Sequence, residues 1–91
     1  MNKDPRYNLI RPLYDAGRIK YFTDIFLYIP KTRVALDMGK KVSRFSQLIK
    51  RVGDLTLSEI MLIASFCGLN ESEIFRLVEA EYIRQKKKRR Q

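Results

Sequence analysis

The sequence predicts an all-α fold of five to six helices, and three observations carry that reading. No stretch alternates apolar and polar residues with a period of two for long enough to make a strand. Apolar residues recur instead at three- and four-residue intervals, the spacing of one helix face. Two stretches, Thr56-Leu57-Ser58-Glu59 and Asn70-Glu71-Ser72-Glu73, have the form of a capping box, in which residues three apart satisfy each other's backbone donors where a helix begins.

Taken in order, residues 1–18 read as an N-terminal arm with one short helix. Met1–Tyr7 shows little periodicity, while Leu9, Ile10, Leu13 and Tyr14 suit a short helix that ends at Gly17, with Asn8 as its cap. Residues 19–83 form the domain proper. Ile19, Phe22, Ile25, Phe26 and Ile29 mark a helix from Ile19 to Ile29, which Pro30 stops. Lys31–Met38 and about Ser43–Val52 are two further amphipathic helices. Gly53-Asp54 then breaks the chain. The first capping box opens a helix with a core face of Ile60, Ile63, Ala64 and Cys67, ended by Gly68. The second opens a helix carrying Ile74, Leu77, Val78 and Tyr82. Residues 84–91 read as a frayed, basic C-terminal tail.

The stretch from residue 31 to residue 51 is the one the others are arranged to hold. Gly39 sits where one helix ends and the chain turns, because glycine adopts left-handed backbone angles at little cost. Ala35 is small where a second helix would cross closely. Phe45, Leu48 and Ile49 then give the next helix one apolar face and leave the other free to project outward. Seven basic residues fall in this stretch, against the single acid Asp37. Residues 53–81 invert that balance, with six acids and only Arg76. A concentrated basic face points to a polyanionic partner, and a projecting helix to one that reads DNA.

Ninety-one residues make one small domain with little room for a catalytic cleft. The formal net charge of +9 favours binding to nucleic acid, at least without sequence preference, or to an anionic membrane surface. One cysteine excludes an internal disulfide, and with no histidine the usual zinc sites cannot form. No catalytic constellation stands out, so the expectation is a protein that is not an enzyme, uses no cofactor and takes no small-molecule substrate. No apolar run reaches membrane-spanning length, which predicts a cytoplasmic, nucleoid-associated location without membrane contact.

At residue level the spacing resembles the lambda-repressor-like (XRE-type) helix-turn-helix family. That family's pattern is an apolar residue and alanine, three residues, glycine, then apolar positions six and nine beyond the glycine. Val34-Ala35, Gly39, Phe45 and Leu48 fill it. Thr56-Leu57-Ser58-Glu59-Ile60, Ile63-Ala64, Gly68-Leu69 and Glu73-Ile74 resemble the family's fourth helix and the entry to its fifth. The likeness covers about residues 19–82. An alternative register, with Lys31–Asp37 as the recognition helix, puts Phe26 at the alanine position and Pro30 at the glycine position, and is rejected. Departures are Lys40 in place of a small apolar residue after the glycine, Lys41 in place of a Ser or Thr cap, Ile49 in place of an acid, and Lys31 in place of a glutamine.

The resemblance implies a bacterial or phage transcriptional regulator that binds double-stranded DNA. Its base-contacting positions fall on Val42, Ser43 and Gln47, with Lys41 and Arg44 beside them. The side-chain chemistry fits: Gln47 suits an adenine edge, Arg44 a guanine or a phosphate, Val42 a thymine methyl. Lys31, Arg33, Lys40, Lys50 and Arg51 would position the phosphate backbone. Lys86, Lys87, Lys88, Arg89 and Arg90 would add affinity without sequence preference. Family members commonly act as dimers, and a homodimer would use the exposed parts of Phe75, Val78 and Tyr82, or the N-terminal tyrosines. Tyr7, Tyr14 and Tyr28 are better suited to packing than to stacking on bases. The rival class is a structural or interaction protein whose helical domain binds a protein and whose tail contacts nucleic acid without sequence preference.

Overall fold

The computed structural model describes residues 4–89. They form five α-helices, α1 (Ile10–Asp15), α2 (Lys31–Asp37), α3 (Val42–Lys50), α4 (Leu57–Cys67) and α5 (Glu71–Arg89). Three 3-10 segments, Pro5–Leu9, Phe22–Leu27 and Val52–Asp54, connect or precede them. No strand occurs among the described residues, so the fold is all-α. None of the described helices is long and apolar enough to cross a membrane.

The N-terminal segment is part of the core, not an arm. Asp4 caps the first 3-10 turn by accepting from the Arg6 N–H at 2.9 Å. Tyr7 is buried, its ring centroid lies 5.4 Å from that of Phe66 on α4, and its hydroxyl donates to Asp37 at 2.7 Å. Ile10 is fully buried as well. Asn8 is not a cap, since the 3-10 turn runs through it and α1 starts at Ile10. The expected cap and arm both presumed an isolated segment, whereas long-range burial of Tyr7 decides its course. Met1, Asn2 and Lys3 lie outside the described residues.

Ile19–Ile29 is likewise not an α-helix. The Asp24 carboxylate accepts from the backbone N–H groups of both Lys20 and Tyr21, at 2.9 and 3.0 Å, and Tyr21 stays extended. The helix therefore starts late and tightens into a 3-10 turn, which stacks residues at i and i+3. The buried residues fit that tighter period: Ile19, Phe22 and Ile25 follow at three-residue intervals, and Ile29 completes the face.

Both capping boxes form. Thr56 Oγ1 accepts from the Glu59 N–H at 3.2 Å, and Glu59 accepts from the Thr56 N–H at 2.7 Å. Asn70 and Glu73 exchange the same pair of bonds at 2.9 Å each. Ile60, Ile63, Ala64 and Cys67 of α4 meet Ile74, Leu77 and Val78 of α5 in one core with Phe22, Ile25 and Phe45. Helix α5 departs from expectation at its far end. Lys86, Lys87 and Lys88 continue it to Arg89 instead of fraying, because basic residues suit a helix C-terminus and earlier side chains tie the helix down. Arg90 and the side chain of Arg89 lie outside the described residues.

Glu73 also joins α5 to α1. The Arg11 guanidinium donates to both of its carboxylate oxygens at 2.6 Å. That pair, then the Asn70 N–H, holds the Glu73 carboxyl down at about 2. A depressed carboxyl contributes stability above its unfolded value and loses it as pH falls towards the folded one. Arg11→Leu is therefore expected to melt below the wild type at pH 6, with the gap closing as pH falls from about 4.5 to about 2. Paired thermal melts across that range check it, and a gap that stays constant would contradict it.

Candidate nucleic-acid interface

Helices α2 and α3 pack on each other across a tight turn. Gly39 takes φ +72°, the left-handed region where a side chain is strained, and Lys40 N–H returns to the Ala35 carbonyl at 2.9 Å. Val34 and Ala35 are fully buried beneath the turn. The two helices are slightly shorter than expected: Met38 caps α2, and α3 stops at Lys50 with Val52 opening the next 3-10 segment. Phe45 and Leu48 anchor α3 from behind, with the Phe45 ring edge-on to Phe26 at 5.7 Å between centroids.

With its back buried, α3 presents the opposite ridge. Ser43, Gln47 and Lys50 follow at i, i+4 and i+7 and are all exposed, with exposed Arg44 on one flank and Lys41 just before the helix. None of these side chains makes a hydrogen bond or ion pair with another described residue. Lys41 offers no side-chain cap to the first backbone donors of α3. Val42 differs from the others. It is half-buried and packs against the core, which leaves only part of it available to a partner.

The expected phosphate-contacting set divides in two. Lys31, Lys50 and Arg51 are exposed, Arg51 loosely paired with Asp54 at 3.7 Å. Arg33 and Lys40 are half-buried and each is ion-paired within the domain. Arg33 donates to Asp37 at 2.8 Å, and Asp37 also takes the Tyr7 hydroxyl. That hydroxyl leads the causes that hold the Asp37 carboxyl below its usual range. Burial first, then the bond to Asp37, pushes the Tyr7 hydroxyl well above its ordinary value. The only acid of the basic stretch is thus neutralised locally. Lys40 pairs with Glu59 at 2.5 Å. Burial works to raise Glu59, but the bonds from Lys40 and Thr56 outweigh it and hold the carboxyl low. This pair fastens the α2–α3 turn to the start of α4, and accounts for a lysine where the pattern favours a small apolar residue.

Two features of the interface escape sequence reading. Lys50, expected among backbone contacts, lines up with Ser43 and Gln47 on the outermost ridge, which the one-turn spacing already contains. Gln85 of α5 is the second. Its amide donates to the Ile49 carbonyl at 2.8 Å and accepts from the Val52 N–H at 3.1 Å, closing the corner where α3 ends. A glutamine beside a basic run carries no sign of that role.

Of the residues expected to join two copies of the chain, Val78 and Tyr7 are buried, Phe75 and Tyr14 half-buried, and Tyr82 is exposed. Tyr28 is half-buried against the core. Comparison of the chain with protein families, with curated proteins and with solved structures finds no match.

Proposed function

We propose that this chain binds double-stranded DNA with sequence preference by docking α3 in a groove, and that it serves as a small transcriptional regulator of the lambda-repressor-like helix-turn-helix type. One observation carries the reading. Helix α3 is locked from behind by fully buried Phe45 and Leu48, while Lys41, Ser43, Arg44 and Gln47 on its open side have no partner among the described residues. Polar side chains exposed on a helix whose back is anchored, and not engaged within the domain, suit base edges, with Gln47 matched to adenine and Arg44 to guanine. Lys31, Lys50 and Arg51 supply the charge that sets register on the phosphates. Arg33 and Lys40 act one step back, by holding α2 and the turn in place.

Selection of bound duplexes from a random pool tests the proposal. A recovered consensus, lost when Gln47 and Arg44 are both replaced by alanine, is the expected result. Recovery of no consensus at any salt concentration would leave a basic domain that does not read sequence.

A further inference from the structure

Resting on the DNA-binding reading, we propose that Gln85 is a positioning residue for the interface, one that holds the last turn of α3 so that Lys50 meets a phosphate. Helices α2 and α4 are closed by Gly39 and Gly68, both at positive φ, the local device that turns a chain out of a helix. Helix α3 has no such glycine. It ends at Arg51, at φ −136° and ψ 74°, whose N–H reaches the Gln47 and Leu48 carbonyls. The Ile49 carbonyl, in the same last turn, is bound from another helix. The Gln85 amide of α5 donates to it at 2.8 Å and accepts from the Val52 N–H at 3.1 Å. These two bonds grip the main chain on either side of Lys50 and Arg51.

Gln85 can grip that corner because α5 is held there by its neighbours. About one turn earlier, Glu81 is buried and accepts from the Thr23 N–H and hydroxyl at 3.1 and 2.6 Å. Tyr82 covers Gly53 so closely that an added Cβ there would lie 2.9 Å from the tyrosine Cε1. The grip matters because α3 is only nine residues long. A short helix frays from an end whose carbonyls lack partners. Phe45 and Leu48 are buried and anchor the earlier part of the helix, with Ser43 and Gln47 on its outer side. Lys50 lies beyond those anchors, exposed as the last residue of α3. Fraying of this turn would carry Lys50 off the ridge and leave Ser43 and Gln47 in place. Held in the helix, its ammonium is a cation three residues from the proposed reader of bases, which suits one phosphate of the same duplex.

The test uses Gln85→Met, which keeps the length of the side chain, removes both bonds and changes no charge. It is titrated beside Lys50→Gln, the double variant and Gln47→Ala, in the full chain and well below the melting temperature of each. The ligands are the selected duplex and a random duplex, over a series of salt concentrations. Lys50→Gln is expected to lower the salt slope by about one. Gln85→Met is expected to lower it by nearly as much although it removes no cation, and the double variant no further than Lys50→Gln alone. A side chain that only stabilised the fold would lower the melting temperature and leave the slope of the folded protein unchanged. An unchanged slope in either single variant, or slope losses that add in the double variant, would overturn the proposal. Where Gln85→Met does not fold, Gln85→Asn, equally neutral and one methylene too short to make both bonds, takes its place with the same expected result. If Gln47→Ala discriminates between duplexes while Gln85→Met keeps the wild-type slope, only the positioning role fails. If Gln47→Ala is silent while Gln85→Met and Lys50→Gln still share one unit of slope, the positioning role stands and sequence reading by α3 fails.

Discussion

Phe45→Ala is expected to cost about 3–5 kcal/mol of stability, the usual range for truncating a fully buried phenylalanine. The ring sits where α3 meets the Phe22–Leu27 segment. It packs edge-on to Phe26 at 5.7 Å, and Phe26 packs edge-on to Phe22 at 5.5 Å, so a run of three aromatics ties α3 to the Phe22–Leu27 segment. Truncation would leave a cavity under the middle of α3 and forfeit one of its two main anchors, the other being Leu48. For a domain of this size, each kcal/mol moves the melting temperature by roughly 4–8 °C, so the variant is expected to be partly unfolded at physiological temperature. Chemical denaturation of Phe45→Ala and Phe45→Leu measures the effect, with the leucine variant, which fills more of the cavity, expected to lose less than the alanine variant. A cost below about 1 kcal/mol for the alanine variant would mean that α3 is not held from behind as described.

The parts of the fold that were legible in the sequence are those set by local rules. Thr56–Glu59 and Asn70–Glu73 bond as their spacing implies, Gly39 and Gly68 take positive φ at the ends of α2 and α4, and Phe45 and Leu48 are buried on one face. What the sequence conceals is settled by partners distant along the chain. Asp24 catches two backbone donors and turns an apparent α-helix into a 3-10 segment. Tyr7 enters the core because Asp37 and Phe66 receive it, thirty residues and more away. The expected tail is a helix because Glu81, Arg84 and Gln85 find Thr23, Ile49 and Val52. Within the candidate interface, composition alone could not separate Arg33 and Lys40, whose acidic partners hold them half-buried, from Lys31, Lys50 and Arg51, which stay exposed. That division depends on where Asp37 and Glu59 lie in space, and periodicity carries no such information.

Gln47 is where the second large effect is expected. It stands on the ridge of α3 between Ser43 and Lys50, exposed, with no partner among the described residues. If its amide meets a base edge, Gln47→Ala should cost roughly 1–3 kcal/mol on the preferred duplex and relax the choice at one base pair. The fold should be unaffected, because the side chain contributes nothing to the core. Lys31→Ala supplies the contrast: at the start of α2, exposed and unpaired among the described residues, it should weaken preferred and random duplexes alike. The deciding measurement is a titration of wild type and Gln47→Ala against both duplexes at several salt concentrations. A loss confined to the preferred duplex, with an unchanged salt slope, is the result the proposed reading requires. Equal weakening of both duplexes, or no weakening of either, would contradict it.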